Sequence, residues 1–267
     1  MAEKTRIEYC DSTWNPVTGC RHGCEYCYAR DIARRFGGYD RAISDSLAIS
    51  SEGREKSLNK LHGRLLRKTK KGKQAPAAYP FGFEPTLHRY TLSEPNGWKK
   101  PRTAFVGSMC DLFGDWVPDD WISDVLDACA AAPQHRYLFL TKNPERYGQL
   151  HERGELPPQH WYGMTLDHAP DGDSDESEWT LCPSIRQCFV SVEPLTENVV
   201  NRHFPVADWY IVGAMTGPGA KKSQPRPEWV REICEAADNA GVPVFMKDSL
   251  IPVVGEENMR RELPWER

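Results

Sequence analysis

Three cysteines fall within one short stretch, Cys20-Arg21-His22-Gly23-Cys24-Glu25-Tyr26-Cys27, at C-x3-C-x2-C spacing. Cysteine thiolates hold iron–sulfur clusters, and a cluster ordinarily takes four of them. A loop that offers only three leaves one iron of a cubane cluster open to another molecule, and an open metal is where chemistry can happen. Zinc is the rival chemistry, since a structural zinc site takes four N or S ligands, commonly from paired C-x2-C elements. His22 or Cys10 would complete such a set, but no second C-x2-C pair occurs in the chain. A buried cysteine behaves as a small hydrophobe, which explains poorly three thiols in a polar, Gly23-containing loop.

The elements that must position these thiols can be read from periodicity. Arg6–Cys10 alternates like a short strand, and 11–19 reads as loop, with Asn15-Pro16 and Gly19 as turn residues. Tyr28, Ile32 and Phe36 stand at i, i+4, i+8 and are stopped by Gly37-Gly38, which predicts a helix over 28–36. From Thr103 a repeat of apolar strand and helix begins. Strands are expected over 103–106, 136–140, 161–166, 187–192, 209–212 and 242–246. One helix is capped by Asp119 and buries Ile122, Val125, Leu126 and Cys129; another has Pro144 as its first residue; a third runs from Pro227 to Gly241. Such alternation predicts an α/β fold with a parallel sheet covered on both faces, doubly wound or closed toward a barrel. Ligands of such sheets sit at the carboxyl ends of the strands.

Polar residues gather at those ends. Ser108, Cys110 and Asp111 follow the first strand of the repeat, Thr141 and Lys142 the second, and Glu193, Gly213 and Lys247 later ones. A carboxylate such as Glu193 closing an apolar strand is costly unless solvated or paired. Lys142 and Lys247 either pair with Glu193 or Asp111 or bind an anionic substrate. Asp111 either begins a turn or offers oxygen acceptors to a ligand. Cys182 and Cys188 supply only two ligands, which do not make a second metal site.

The cysteine spacing, with Tyr26 in the aromatic position, resembles the signature of the radical S-adenosylmethionine (SAM) enzymes. That resemblance implies a partial (β/α) TIM-like barrel in which the cluster loop follows the first strand. It implies a [4Fe–4S] cluster on Cys20, Cys24 and Cys27, with SAM chelating the open iron and cleaved to a 5′-deoxyadenosyl radical that takes hydrogen from a substrate. Tyr26 would then lie on the adenine side of SAM, and Ser108 and Asp111 in the loop that holds its amino group. Thr141, Glu193 and Gly213 would line the remaining cofactor contacts. A thiol at Cys110 would be placed to return a hydrogen atom to a substrate radical, or would be merely an adjacent thiol. The resemblance also implies a flavodoxin- or ferredoxin-type protein as reductant. Over nearly its full length the chain is similar to a phage- and prophage-associated radical SAM family of unassigned reaction. The likeness rests on Trp14-Asn15-Pro16-Val17-Thr18-Gly19-Cys20, Ser108-Met109-x-Asp111-Leu112-Phe113, Leu140-Thr141-Lys142-x-Pro144-Glu145-Arg146, Glu193-Pro194-Leu195, and Val212-Gly213 through Gly217-Pro218-Gly219-Ala220. The chain departs from that family in the short spacing of its first two cluster cysteines, where members often carry a longer insertion.

Bulk properties set the frame. With 267 residues, 39% hydrophobic and 27% charged, the chain suits one globular domain over 1–267 with a substantial core. A net charge of −4 gives no global drive toward nucleic acid or anionic membranes. No apolar run approaches the roughly 18 residues needed to span a bilayer. Nine irregularly spaced cysteines and an N-terminus without an apolar core predict reduced thiols in a cytoplasm. Residues 54–101 read as an irregular, Pro/Gly-rich insertion with a strongly basic first half: Arg54, Lys56, Lys60, Arg64, Arg67, Lys68, Lys70, Lys71 and Lys73. Leu58, Leu61, Leu65 and Leu66 suggest that much of this half is helical. It reads either as a solvated face or as a phosphate-contacting patch for a nucleic acid, nucleotide or phosphorylated substrate.

Overall fold

Apolar runs ended by a polar or glycine residue build one parallel sheet, and the segments between them supply helices. The computed structural model describes residues 5–40, 42, 58–169, 185–201, 203–217 and 219–266. In chain order these form β1 (Ser12–Trp14), β2 (Val17–Thr18), α1 (Tyr28–Phe36), β3 (Asn59–Leu61), β4 (Leu66–Lys68), β5 (Gln74–Pro76), β6 (Thr86–His88) and β7 (Thr103–Val106). They continue with α2 (Asp119–Ala130), β8 (Arg136–Thr141), α3 (Glu145–Glu152), β9 (Trp161–Thr165), β10 (Cys188–Val192), β11 (Tyr210–Val212), α4 (Pro227–Ala240), β12 (Val244–Met246) and α5 (Ile251–Val254). Seven strands form a single sheet in the order β1-β7-β8-β9-β10-β11-β12. Its pairs β1–β7, β8–β9, β9–β10, β10–β11 and β11–β12 are all parallel. This is the α/β class expected, with the strand succession of a partial (β/α) barrel.

Contacts divide the chain into two compact units, residues 12–137 and residues 4–11 with 138–267. The first is built on Trp14, whose indole is 1% exposed, packs toward the Tyr137 ring at 6.2 Å and donates to the Thr91 carbonyl at 3.0 Å. Around it lie the small sheet β2-β6-β3 and the β4–β5 hairpin. The second unit centres on Trp209, with Tyr9, Trp161, Phe189, Phe245 and Trp265 around its ring at 5.2–6.4 Å. There α4 buries Val230, Ile233 and Ala237 and ends at Gly241, where φ is +68°.

Several expectations change. Arg6–Cys10 is a turn rather than a strand, closed by Cys10 N–H to the Ile7 carbonyl at 3.4 Å. Its alternation has another cause: Tyr9 plugs the aromatic cluster, while Glu8 accepts from Asp248 N at 2.7 Å and from Arg261 at 2.9 Å. The first strand is instead Ser12–Trp14, inside the expected loop. The basic stretch is not helical where described, since it forms β3, β4 and β5; Arg54 and Lys56 lie outside the described residues. Leu61 and Leu65, four apart, meet with Ala77 in a small core because the chain bends between two strands. Residues 74–101 are likewise more regular than expected, contributing β5 and β6. The helix at 28–36 forms as predicted but shows the opposite face: Ala29 and Ala33 are buried, and Tyr28, Ile32 and Phe36 are exposed. Pro118 rather than Asp119 stands at the N-cap of α2, and Pro144 at that of α3. Asp171, Asp173, Asp175, Glu176 and Glu178, an acidic run that follows β9 in the sequence, lie outside the described residues, as do Cys182 and Pro218. Among the described residues no helix is long and apolar enough to cross a membrane.

His88 supports the entry to the cysteine loop. It is 3% exposed, with Nε2 2.9 Å from Thr18 Oγ1 and Nδ1 3.1 Å from the Tyr90 hydroxyl, and its N–H donates to the Pro16 carbonyl at 2.7 Å. Burial pushes its imidazole down to about 4. The unfolded chain therefore binds more protons between pH 6.5 and 4, so the contribution is complete above pH 6.5 and lost as pH falls toward 4. At full protonation the loss is about 3 kcal/mol, at 1.36 kcal/mol per unit of pKa. Urea midpoints should fall between pH 7 and pH 4.5, and less steeply in His88→Asn; equal slopes in the two proteins would contradict this assignment.

Candidate functional site

The three cysteines lie between β2 and α1, in the first unit. Gly19 opens the turn with φ at +91°, and a Cβ there would come within 2.4 Å of the Glu84 backbone carbonyl. Only glycine meets both demands. Cys20 N–H then donates to the Phe83 carbonyl at 3.2 Å, and Arg21 pairs with Glu84 at 3.2 Å. At the far end Cys27 caps α1, its thiol accepting from Arg30 N at 3.4 Å, while the Arg30 guanidinium donates to the Cys24 carbonyl.

A second set of bonds ties this loop to the segment leaving β7. Gly19 N–H donates to the Met109 carbonyl at 2.9 Å, and Gly19 and Cys110 form a parallel bridge. Asn15 Oδ1 accepts from Ser108 Oγ at 3.2 Å and from Met109 N at 3.0 Å. His22 Nε2 lies 2.7 Å from Asp111 Oδ2, while Asp111 Oδ1 accepts from Phe113 N at 3.0 Å. The Tyr28 hydroxyl donates to the Ser108 carbonyl at 2.8 Å. Trp116 stands edge-on to the His22 ring at 4.8 Å. Ser108 and Asp111 thus meet the cysteine loop, and their side chains fasten it. Asn15 and Tyr28 are site residues that the sequence reading does not reach, and His22, considered there only as a zinc ligand, pairs with Asp111. The signal for His22 was its place between two cysteines, and for Asn15 its place in the Trp14–Cys20 motif.

The thiols Cys20, Cys24 and Cys27 are each partly buried. Burial pushes Cys20 up to about 12, the His22 N–H opposes that shift, and the charges of Asp111, Cys24 and Cys27 add to it. A metal bound here must displace thiol protons, so its affinity rises with pH. Among the described residues no three His, Cys, Asp or Glu side chains are drawn into a finished coordination shell. The donor set nonetheless fits an iron–sulfur cluster: three partly buried thiols on one loop, with Cys24 and Cys27 near enough to Cys20 to raise its thiol, and Tyr26 beside them 36% exposed. Cys110 has its sulfur over Gly107, where an added Cβ would lie 3.0 Å from it, and burial, Asp111 and Cys20 hold its thiol protonated.

The other expected residues belong to the second unit. Thr141 is buried at the end of β8, where its Oγ1 accepts from Asn143 N at 2.9 Å. Lys142 pairs with Asp167 at 2.5 Å, and Asp167 also meets His168 Nδ1 at 2.9 Å. Lys247 pairs with Glu193 at 2.5 Å, which is the partner expected. That pair passes over Gly213, where an added Cβ would lie 3.1 Å from both Glu193 Cδ and Lys247 Cδ. Cys188 bonds to Asp208 at 3.3 Å.

Gly19 and Gly23 make a matched test, because both have positive φ but only Gly19 is enclosed; nothing lies within 4 Å of a Cβ at Gly23. Gly23→Ala should cost about 1 kcal/mol of left-handed strain, and Gly19→Ala several-fold more from its clash with the Glu84 carbonyl. Chemical denaturation of both variants checks this, and equal costs would contradict the enclosure.

No curated protein matches the chain. Among solved structures it is similar to spore photoproduct lyase complexed with dinucleoside spore photoproduct, at 10% identity and a TM-score of 0.44. It is similar to the same degree to a variant of that lyase with bound AdoMet and dinucleoside spore photoproduct, again at 10% identity and a TM-score of 0.44. In both cases 98% of this chain aligns, spanning 65% of the lyase chain. The family described as "Protein of unknown function (DUF5131)" matches residues 4–250, and the chain belongs to that family.

Proposed function

We propose that this chain is a radical SAM enzyme. The reading is carried by Cys20, Cys24 and Cys27 on one loop between a strand and a helix, a loop fastened at Gly19, His22 and Cys27 rather than left to find its own shape. These cysteines would hold a [4Fe–4S] cluster, which with SAM supplies a 5′-deoxyadenosyl radical by one-electron cleavage of the sulfonium. Asn15, Ser108 and Asp111 act by holding the cysteine loop against the end of β7. Tyr26 is assigned to the adenine side of SAM, and Thr141, Glu193 and Gly213 to the rest of the cofactor. Glu193 pairs with Lys247 at 2.5 Å. Cys110, with its thiol protonated, is assigned the return of a hydrogen atom to substrate. Lys142 and Lys247 are assigned to an anionic substrate group, reached by exchanging their present carboxylate partners. A flavodoxin- or ferredoxin-type reductant, a cytoplasmic setting and a phage-associated subfamily belong to the same proposal.

The rival, a non-enzymatic zinc protein associated with nucleic acid, has less support. It requires a fourth ligand near the loop. The chain carries no second C-x2-C pair to supply it, and the Cys10 thiol points at the Ile7 carbonyl at 3.7 Å.

Anaerobic reconstitution, reduction with dithionite and addition of SAM should yield 5′-deoxyadenosine from the native chain and none from Cys24→Ala. A reduced, fully loaded cluster that forms no 5′-deoxyadenosine would overturn the proposal.

A further inference from the structure

The helix that follows the cysteine loop presents its large side chains to solvent. α1 buries only Ala29 and Ala33, and leaves Tyr28, Ile32 and Phe36 57%, 37% and 42% exposed. Three large apolar groups in one stripe on a nine-residue helix are uncommon on a surface without a partner. The β4–β5 hairpin is joined to the end of this helix: Asp40 N–H donates to the Leu66 carbonyl at 2.7 Å, and the Arg67 guanidinium lies over the Phe36 ring at 5.9 Å. Lys68 is paired with Asp40 at 3.3 Å. Lys70, Lys71 and Lys73 at the hairpin turn, and Arg34 and Arg35 in the last turn of α1, are exposed and meet no carboxylate among the described residues. Asp31 and Glu25 are the acidic side chains on the helix and just before it.

We propose that α1 and the β4–β5 hairpin form a docking surface for single-stranded nucleic acid. Phosphates fall to the hairpin lysines and the α1 arginines, and unstacked bases to the faces of Tyr28 and Phe36. Cations that track a backbone, interleaved with exposed aromatic rings, are the recurrent means of holding single strands. Charge suits any polyanion; the two exposed rings spaced along the stripe favour one that carries flat bases over an acidic protein. A lipid surface is disfavoured because three apolar groups on so short a helix make a weak anchor. Since α1 begins at the residue after Cys27, a strand held here lies beside the cysteine loop. This surface goes beyond the radical chemistry proposed above and does not depend on it.

The test is fluorescence anisotropy with a labelled mixed-sequence oligonucleotide of about 20 residues, as single-stranded DNA, single-stranded RNA and duplex, without SAM or reductant. Binding is expected to favour the single strands and to weaken steeply between 50 and 200 mM salt, with a slope of about −0.7 per phosphate neutralised. Replacing Lys70, Lys71 and Lys73 by Glu should weaken binding at least about tenfold and flatten the slope, while replacing them by Arg should preserve both. Phe36→Ala should weaken binding about five- to a hundredfold with the slope unchanged. Circular dichroism melts establish that each variant is folded. Equal binding by the Glu and Arg variants would overturn the proposal, as would a preference for duplex, tighter binding to phosphatidylserine vesicles, or no binding at 50 mM salt. Because no cleavage is involved, a failed 5′-deoxyadenosine assay leaves this result standing.

Discussion

Asn15 Oδ1 accepts two hydrogen bonds, from Ser108 Oγ and Met109 N, and so registers the chain entering the cysteine loop on the segment leaving β7. The loop between Gly19 and Cys27 has almost no buried apolar surface of its own to fix it. Polar bonds must do that work, each worth about 1 kcal/mol net, and they succeed by acting at both ends and in the middle. Gly19 and Cys20 are held at the start, His22 in the middle by Asp111, and Cys27 at the end by the first turn of α1. Removing one leaves a buried acceptor unsatisfied, which costs more than the bond itself contributes.

The same constraint explains why Ser108 and Asp111 behave differently from ordinary strand-end polar residues. Asp111 bonds to His22 inside the loop that carries the thiols and Ser108 to Asn15 on the chain entering it, so their influence on a bound cofactor passes through loop position. In the second unit the arrangement is simpler. Lys142–Asp167 and Lys247–Glu193 are partly buried ion pairs standing just past the ends of their strands. The second closes across Gly213, where an added Cβ would crowd both partners at 3.1 Å.

Much of this was legible in the sequence from Thr103 onward. Runs such as Thr103–Val106 and Cys188–Val192 are apolar on both faces, short, and bounded by turn residues, which leaves little alternative to a buried parallel strand. The first third was harder for physical reasons. Leu61 and Leu65 have helical spacing, yet meet in one core because the chain turns between them. Tyr28, Ile32 and Phe36 revealed a helix correctly, but periodicity gives a stripe without saying which stripe is buried; here two alanines allow the close approach and the large residues face outward. Ser12–Trp14 was hidden by the Asn15-Pro16 turn that follows it. The cysteines were visible from spacing alone and Ser108 and Asp111 from their place after a strand, whereas the pairing of His22 with Asp111, 89 residues apart in sequence, and of Asn15 with Ser108 and Met109 was not.

The proposed function stands or falls on an iron–sulfur cluster at Cys20, Cys24 and Cys27. Iron, acid-labile sulfide and zinc in the anaerobically purified chain distinguish the possibilities. About four iron and four sulfide per chain are expected, absent when the three cysteines are replaced by alanine. One tightly bound zinc per chain, with neither iron nor sulfide, would contradict it.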